Sequence, residues 1–189
     1  MPQHRTVTPG YTVVYPNREK ASSKLMKALV TLILLVSVGL LLIITIGGWS
    51  QLEGMKPLNF FWCIAYLIVA YYIFFRWSRG MLPIAAGLAV LLLMVALVAG
   101  LGLSGTSWFD RSHAGFAPAQ SLFGGNGLSA DTLGTVTLLI VPVQLVLIIF
   151  ALQAFAQGWN VEQEVPIDEA RRRGYNPPEP PRPGEPATA

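Results

Sequence analysis

At 189 residues, 53% hydrophobic and 12% charged, with mean hydropathy +0.52, the chain carries about half the charge of an ordinary soluble domain. That excludes a cytosolic enzyme and a nucleic-acid binder, and the net charge of +3 has a topological explanation. The single cysteine, Cys63, lies within an apolar run, so no intramolecular disulfide and no metal-ligand spacing is available.

The first 27 residues form a basic arm. Residues 4–16 mix Thr, Tyr and Val with two prolines, which predicts an extended segment. Asn17 is placed to cap a short helix after it. Lys20, Lys24 and Lys27, spaced four and three apart, fall on one helical stripe. They are candidates for contact with anionic lipid headgroups, and they flank the first span as orientation signals.

Four apolar runs follow, at residues 28–49, 58–77, 81–103 and 132–157, with Arg76 as the single charge, at the end of the second. A hydrocarbon core about 30 Å thick needs roughly 20 helical residues, so each run is long enough to cross. The runs are continuous rather than alternating, which excludes barrel strands. The first ends in Ile46, Gly47, Gly48 and Trp49 without a small-residue cleavage pattern, and is expected to be retained as a span rather than removed as a signal peptide. The fold class expected is an all-α integral membrane protein: four transmembrane helices in an antiparallel bundle, a flexible N-terminal arm and a Pro-rich disordered C-terminal tail.

The second span carries Phe60, Phe61, Trp62, Tyr66, Tyr71, Tyr72, Phe74 and Phe75 around its circumference, a pattern of lipid contact and interface anchoring. Only residues 78–80 join it to the third, which makes those two spans antiparallel neighbours. On the third, Ala85, Ala89, Ala96 and Gly100 lie within about 60° of one another on a helix and form a small-residue ridge for helix packing. Residues 104–131 form the long external loop. Its Trp108, Phe109, Asp110, Arg111, His113 and Phe116 make a candidate contact surface, while Ser129 and Asp131 are placed to cap the fourth span. In that span Pro142 removes a backbone donor near mid-membrane and Gln144 brings an amide to the same depth. The pair is a candidate hinge; the plainer role is packing, with Gln144 hydrogen-bonded to Ser37 at similar depth on the first span.

The tail, residues 158–189, begins with acidic residues and Arg171 to Arg173, which predict a short helix from Asp168 stopped by Gly174. Proline then fills six of the last thirteen positions, the composition of a polyproline or disordered segment. Pro178 and Pro181 followed by Arg182 share the form of an SH3-type ligand.

With both termini cytoplasmic, eleven of the thirteen Lys and Arg residues lie on that side and only Lys56 and Arg111 outside, the asymmetry that sets orientation. Trp49, Trp77, Trp108 and Trp159 lie at span ends, where an indole can keep its ring in the acyl boundary and its N–H in water. The charge asymmetry and the lack of an N-x-S/T sequon point to the plasma membrane of a bacterial cell.

No Asp, Glu, Lys or His lies mid-span, which disfavours proton coupling. No catalytic motif, metal-ligand set or cofactor site is legible. His4 and His113 fall on opposite sides and cannot share a haem. The expected function is that of a non-enzymatic accessory, assembly or scaffold subunit. Its partners would be the lipid bilayer and either another protein or a second copy of itself, with no nucleic acid and no cofactor. A small solute transporter or channel using the Pro142 and Gln144 region is the alternative.

Overall fold

The computed structural model describes residues 10–52, 56–101, 122 and 127–175. Within them the chain order is β1 (Tyr11–Val14), α1 (Pro16–Glu19), α2 (Ala21–Gly47), α3 (Lys56–Arg76), α4 (Met81–Leu101), α5 (Ala130–Ala156), β2 (Gln163–Pro166) and α6 (Ile167–Arg172). Helices α2 to α5 are each long and apolar enough to cross a membrane. Their outward faces carry Leu32, Ile43, Phe61, Ile64, Leu91 and Ile149 in the open. A surface that apolar needs hydrocarbon around it, and the chain is a multi-pass membrane protein.

The helices extend past the apolar runs where polar residues can cap or decorate the ends. Helix α2 begins at Ala21, so Lys24 and Lys27 lie in its first two turns. Helix α5 begins at Ala130 because Ser129 caps it: its hydroxyl accepts the Thr132 N–H at 3.2 Å, with Asp131 in the positive first turn.

Around the bundle the neighbours run α3, α2, α5, α4. The closest pairing is α4 with α5, where the small-residue ridge is spent: Ala85, Ala89 and Ala96 are buried. A Cβ on Gly100 would stand 2.7 Å from the Leu138 side chain and 3.3 Å from the Gly134 carbonyl. Helices α3 and α4 are antiparallel and joined by a short link, yet they touch least. They meet near the link and leave an opening toward the far end. Leu34, Tyr66, Ile73, Leu82, Leu133, Ile140 and Leu147 fill the interior.

At the near end the two arms fold together. Strand β1 pairs antiparallel with β2, Tyr11 opposite Pro166 and Val14 opposite Gln163. Val14, Val165 and Ala170 form a small core of their own, with Tyr175 packed on it. Helix α6 ends in a Schellman turn: Gly174 adopts φ +82° while the Gly174 and Tyr175 N–H groups return to the Arg171 and Ala170 carbonyls. Residues 10–20 and 157–175 thus form a cuff over one end of the bundle; the extended segment expected over residues 4–16 is extended at Tyr11–Val14, where it is paired as a strand. The reason is that Thr12, Val13 and Val14 suit a strand, and β2 supplies the backbone partners an isolated strand lacks. Residues 1–9, the outermost N-terminal positions, and the proline-rich stretch 176–189 lie outside the described residues.

Candidate functional site

Three features of the bundle carry polar chemistry or space for a partner. The first is a hydrogen-bonded chain across three helices. Gln144, fully buried on α5, donates from Nε2 to Ser37 Oγ at 3.0 Å on α2, and its Oε1 accepts the Tyr66 hydroxyl at 2.7 Å on α3. Ser37 in turn donates to the Ile33 carbonyl at 2.9 Å. Because the Ser37 proton is spent on its own helix, Ser37 can only accept from Gln144, which fixes the direction of the amide. The sequence pointed to Ser37 as the Gln144 partner. Tyr66 it grouped with the lipid-facing aromatics, and its complete burial is the correction. Trp62 is buried on the same stripe, with rings 5.9 Å apart, and its Nε1 has no partner among the described residues. Phe61, Tyr71, Tyr72, Phe74 and Phe75 do face outward. Pro142 lies one half-turn before Gln144, within α5.

The second feature is the far-end opening. A cleft of about 320 Å³ is lined by Leu41 and Ile44 of α2, Asn59 of α3, Met94 and Val98 of α4 and Thr137 of α5, among others. Its polar side chains are turned away to protein partners. Asn59 Nδ2 donates to Thr45 Oγ1 at 3.0 Å, and the Thr137 hydroxyl donates to the Leu133 carbonyl at 2.7 Å. What remains exposed in the cleft is apolar. The Asn59 and Thr45 pair was missed from sequence, although an amide one turn inside a span and a threonine near the end of its neighbour are at matching depth.

The third feature is the near-end junction, where basic side chains gather helix-end carbonyls. Lys27 Nζ donates to the Phe74 carbonyl at 3.2 Å and lies 4.0 Å from the Trp77 ring centre. Arg79 Nε donates to the Phe155 carbonyl at 2.9 Å, Asn17 Nδ2 to Gly158 at 3.0 Å and Arg18 Nε to Trp159 at 3.1 Å. These are the ends of α3 and α5, where orphan carbonyls and negative dipole ends favour cations. Asn17 therefore caps no helix start, since Pro16 opens α1 without a side-chain cap. Lys24 pairs with Glu19 at 3.1 Å and Lys20 sits at the α1 to α2 junction. Trp159, expected to keep its N–H in water, is fully buried; it donates to Gln157 at 3.0 Å and packs edge-on against Trp77. The cuff covers it.

Beside this junction lies a polar pocket of about 400 Å³, lined by Tyr15, Arg18, Tyr72, Arg76, Trp77, Ser78, Asn160 and Glu162. The Tyr15 hydroxyl donates to Glu162 Oε1 at 3.1 Å, and the Arg18 guanidinium stacks 3.9 Å from the Tyr15 ring centre. Burial, and then the bond to Glu162, push the Tyr15 phenol above its usual range.

The candidate residues of the external loop, Trp108, Phe109, Asp110, Arg111, His113 and Phe116, lie outside the described residues. Comparison with protein-family models, with curated proteins and with solved structures finds no match for this chain.

Proposed function

We propose that this protein is a non-enzymatic accessory or assembly subunit of the plasma membrane, with both termini cytoplasmic, acting by contact with a larger membrane protein. The observation that carries this reading is the apolar cleft at the far end, lined by α2, α4 and α5 with Asn59 of α3. Its lining is apolar apart from Asn59 and Thr137, and the Asn59 amide and the Thr137 hydroxyl donate to Thr45 and to the Leu133 carbonyl within the protein. A surface of that kind suits an apolar transmembrane segment of a partner. The bonding of Gln144 on both sides of its amide supports packing over a solute path through the Pro142 region. The cytoplasmic assignment rests on the basic residues: among the described residues Arg18, Lys20, Lys24 and Lys27, Arg79 of the α3 to α4 link, and Arg171 and Arg172 of α6 belong to the near end.

The test is photocrosslinking in native membranes from a residue analogue at Met94, which lines the cleft, against one at Leu152, an exposed position on α5. Purification in mild detergent with native mass determination then identifies what is attached. A single larger chain captured from Met94 and not from Leu152 is expected. Capture of a second copy of this chain would replace the partner with a homo-oligomer, and equal lipid labelling at both positions would remove the contact reading.

A further inference from the structure

We propose that the near-end polar pocket is a binding site for a singly charged phosphodiester, filled in the membrane by the headgroup of an anionic phospholipid. Arg18 holds its Nε on the Trp159 carbonyl and stacks on Tyr15, which leaves its two terminal nitrogens as oriented donors. Arg76, the last residue of α3, lines the same pocket with no hydrogen bond, ion pair or ring contact of its own among the described residues. Two guanidiniums sharing one pocket is an arrangement that wants an anion, and planar Arg donors suit phosphate oxygens.

The charge in the pocket selects among phosphates. Arg18 and Arg76 face a single carboxylate, Glu162, so the lining carries net +1. That balances one phosphodiester charge and leaves a monoester dianion in excess. Glu162 and Asn160 can also bond hydroxyls or amides of a headgroup, so the site reads more than charge. Its position fits a lipid. Tyr72 and Arg76 are on the last two turns of a span, and Tyr72 and Phe75 stand exposed beside the opening, where acyl chains would run down α3. The lysine stripe on α2 offers less: Lys24 and Lys27 are turned to Glu19 and to the end of α3.

The experiment uses the full chain, purified in mild detergent and titrated with phosphatidylglycerol or phosphatidylcholine under native mass spectrometry. The variants are Arg76→Gln and, as an equal charge change outside the pocket, Lys24→Gln. Thermal melting of each variant shows that the fold is retained. One phosphatidylglycerol is expected to bind at least about fivefold more tightly than phosphatidylcholine. Arg76→Gln should remove most of that preference and Lys24→Gln little of it. Soluble glycerophosphoglycerol separates the sources: displacement of the lipid only at far higher concentration supports a membrane headgroup. Binding of the soluble diester as tightly as the lipid, lost in Arg76→Gln, supports the same phosphodiester site with a free ligand. Equal binding of the two lipids, or equal loss in the two variants, overturns the proposal.

Discussion

Replacing Gln144 with leucine keeps the side-chain volume close and removes both bonds that tie α5 to α2 and α3. Interhelical hydrogen bonds in membranes contribute about 0.6 kcal/mol each on average and about 1.7 at most. Two bonds therefore give a destabilisation of about 1 to 3 kcal/mol for Gln144→Leu. Tyr66→Phe, which deletes one donor, should cost about half of that. Removing the donor from a variant that has already lost its acceptor should cost less again, so the double-mutant cycle should return a positive coupling of about 0.6 kcal/mol. The assay is reversible unfolding in mixed micelles titrated with a denaturing detergent, followed by circular dichroism. Insertion should be unchanged, since the span becomes more apolar. A coupling indistinguishable from zero would refute the bonded chain. An unchanged unfolding midpoint with loss of partner capture would instead make Gln144 a functional hinge residue beside Pro142.

Three further outcomes follow from the packing. Gly100→Ala should destabilise the bundle by about 1 to 3 kcal/mol through overpacking against Leu138, whereas Gly39→Ala, with nothing within 4 Å of its new methyl, should be neutral or stabilising by up to about 1 kcal/mol; both are read from the same unfolding titration. Val165→Asp, which places a charge in the small core of the cuff, should raise protease cleavage near residues 160–175 by about tenfold or more while leaving the spans folded. The raised Tyr15 pKa sets a pH dependence. Above the phenol's ordinary value of 10.0 the unfolded cuff gives up a proton that the folded one keeps, so stability is full below that pH and falls as pH rises through the folded value. Hydrogen exchange of β1 and β2 should accelerate there, and Tyr15→Phe should remove that component of the pH response.

The spans were legible because hydrocarbon leaves a chain few options: a continuous apolar run of about 20 residues has to be helical. Their limits were less so. Hydropathy stops where polarity starts, while a helix continues as long as its backbone is satisfied, which is why α2 begins seven residues before the apolar run. Depth matching found Ser37 for Gln144 because both residues are polar in apolar surroundings. Tyr66 escaped, since a phenol among seven other aromatics carries no contrast. The signal that separates it is spacing: Trp62, Tyr66, Val69, Ala70 and Ile73 repeat at helical period and all are buried. The cuff's strand and short helix had local signals, but the pairing that joins its two halves had none. Its strands are four residues each and pair across about 150 residues of sequence, so neither predicts the other. The polar pocket was illegible for the same reason, being assembled from α1, the end of α3 and the segment after α5.

The β1 to β2 pairing has a consequence for how the protein is made. Tyr11–Val14 leaves the ribosome before α2, and its partner Gln163–Pro166 follows α5. The strands can meet only if an even number of helices between them has crossed, with α5 ending on the side where α2 began. A molecule that failed to insert α5, or threaded one helix too few, would leave two unpaired strand edges and bare carbonyls at Gly158 and Trp159 on opposite faces of the membrane. Closure of the cuff is thus open only to chains whose helices between the two strands have left both strands on one side of the membrane.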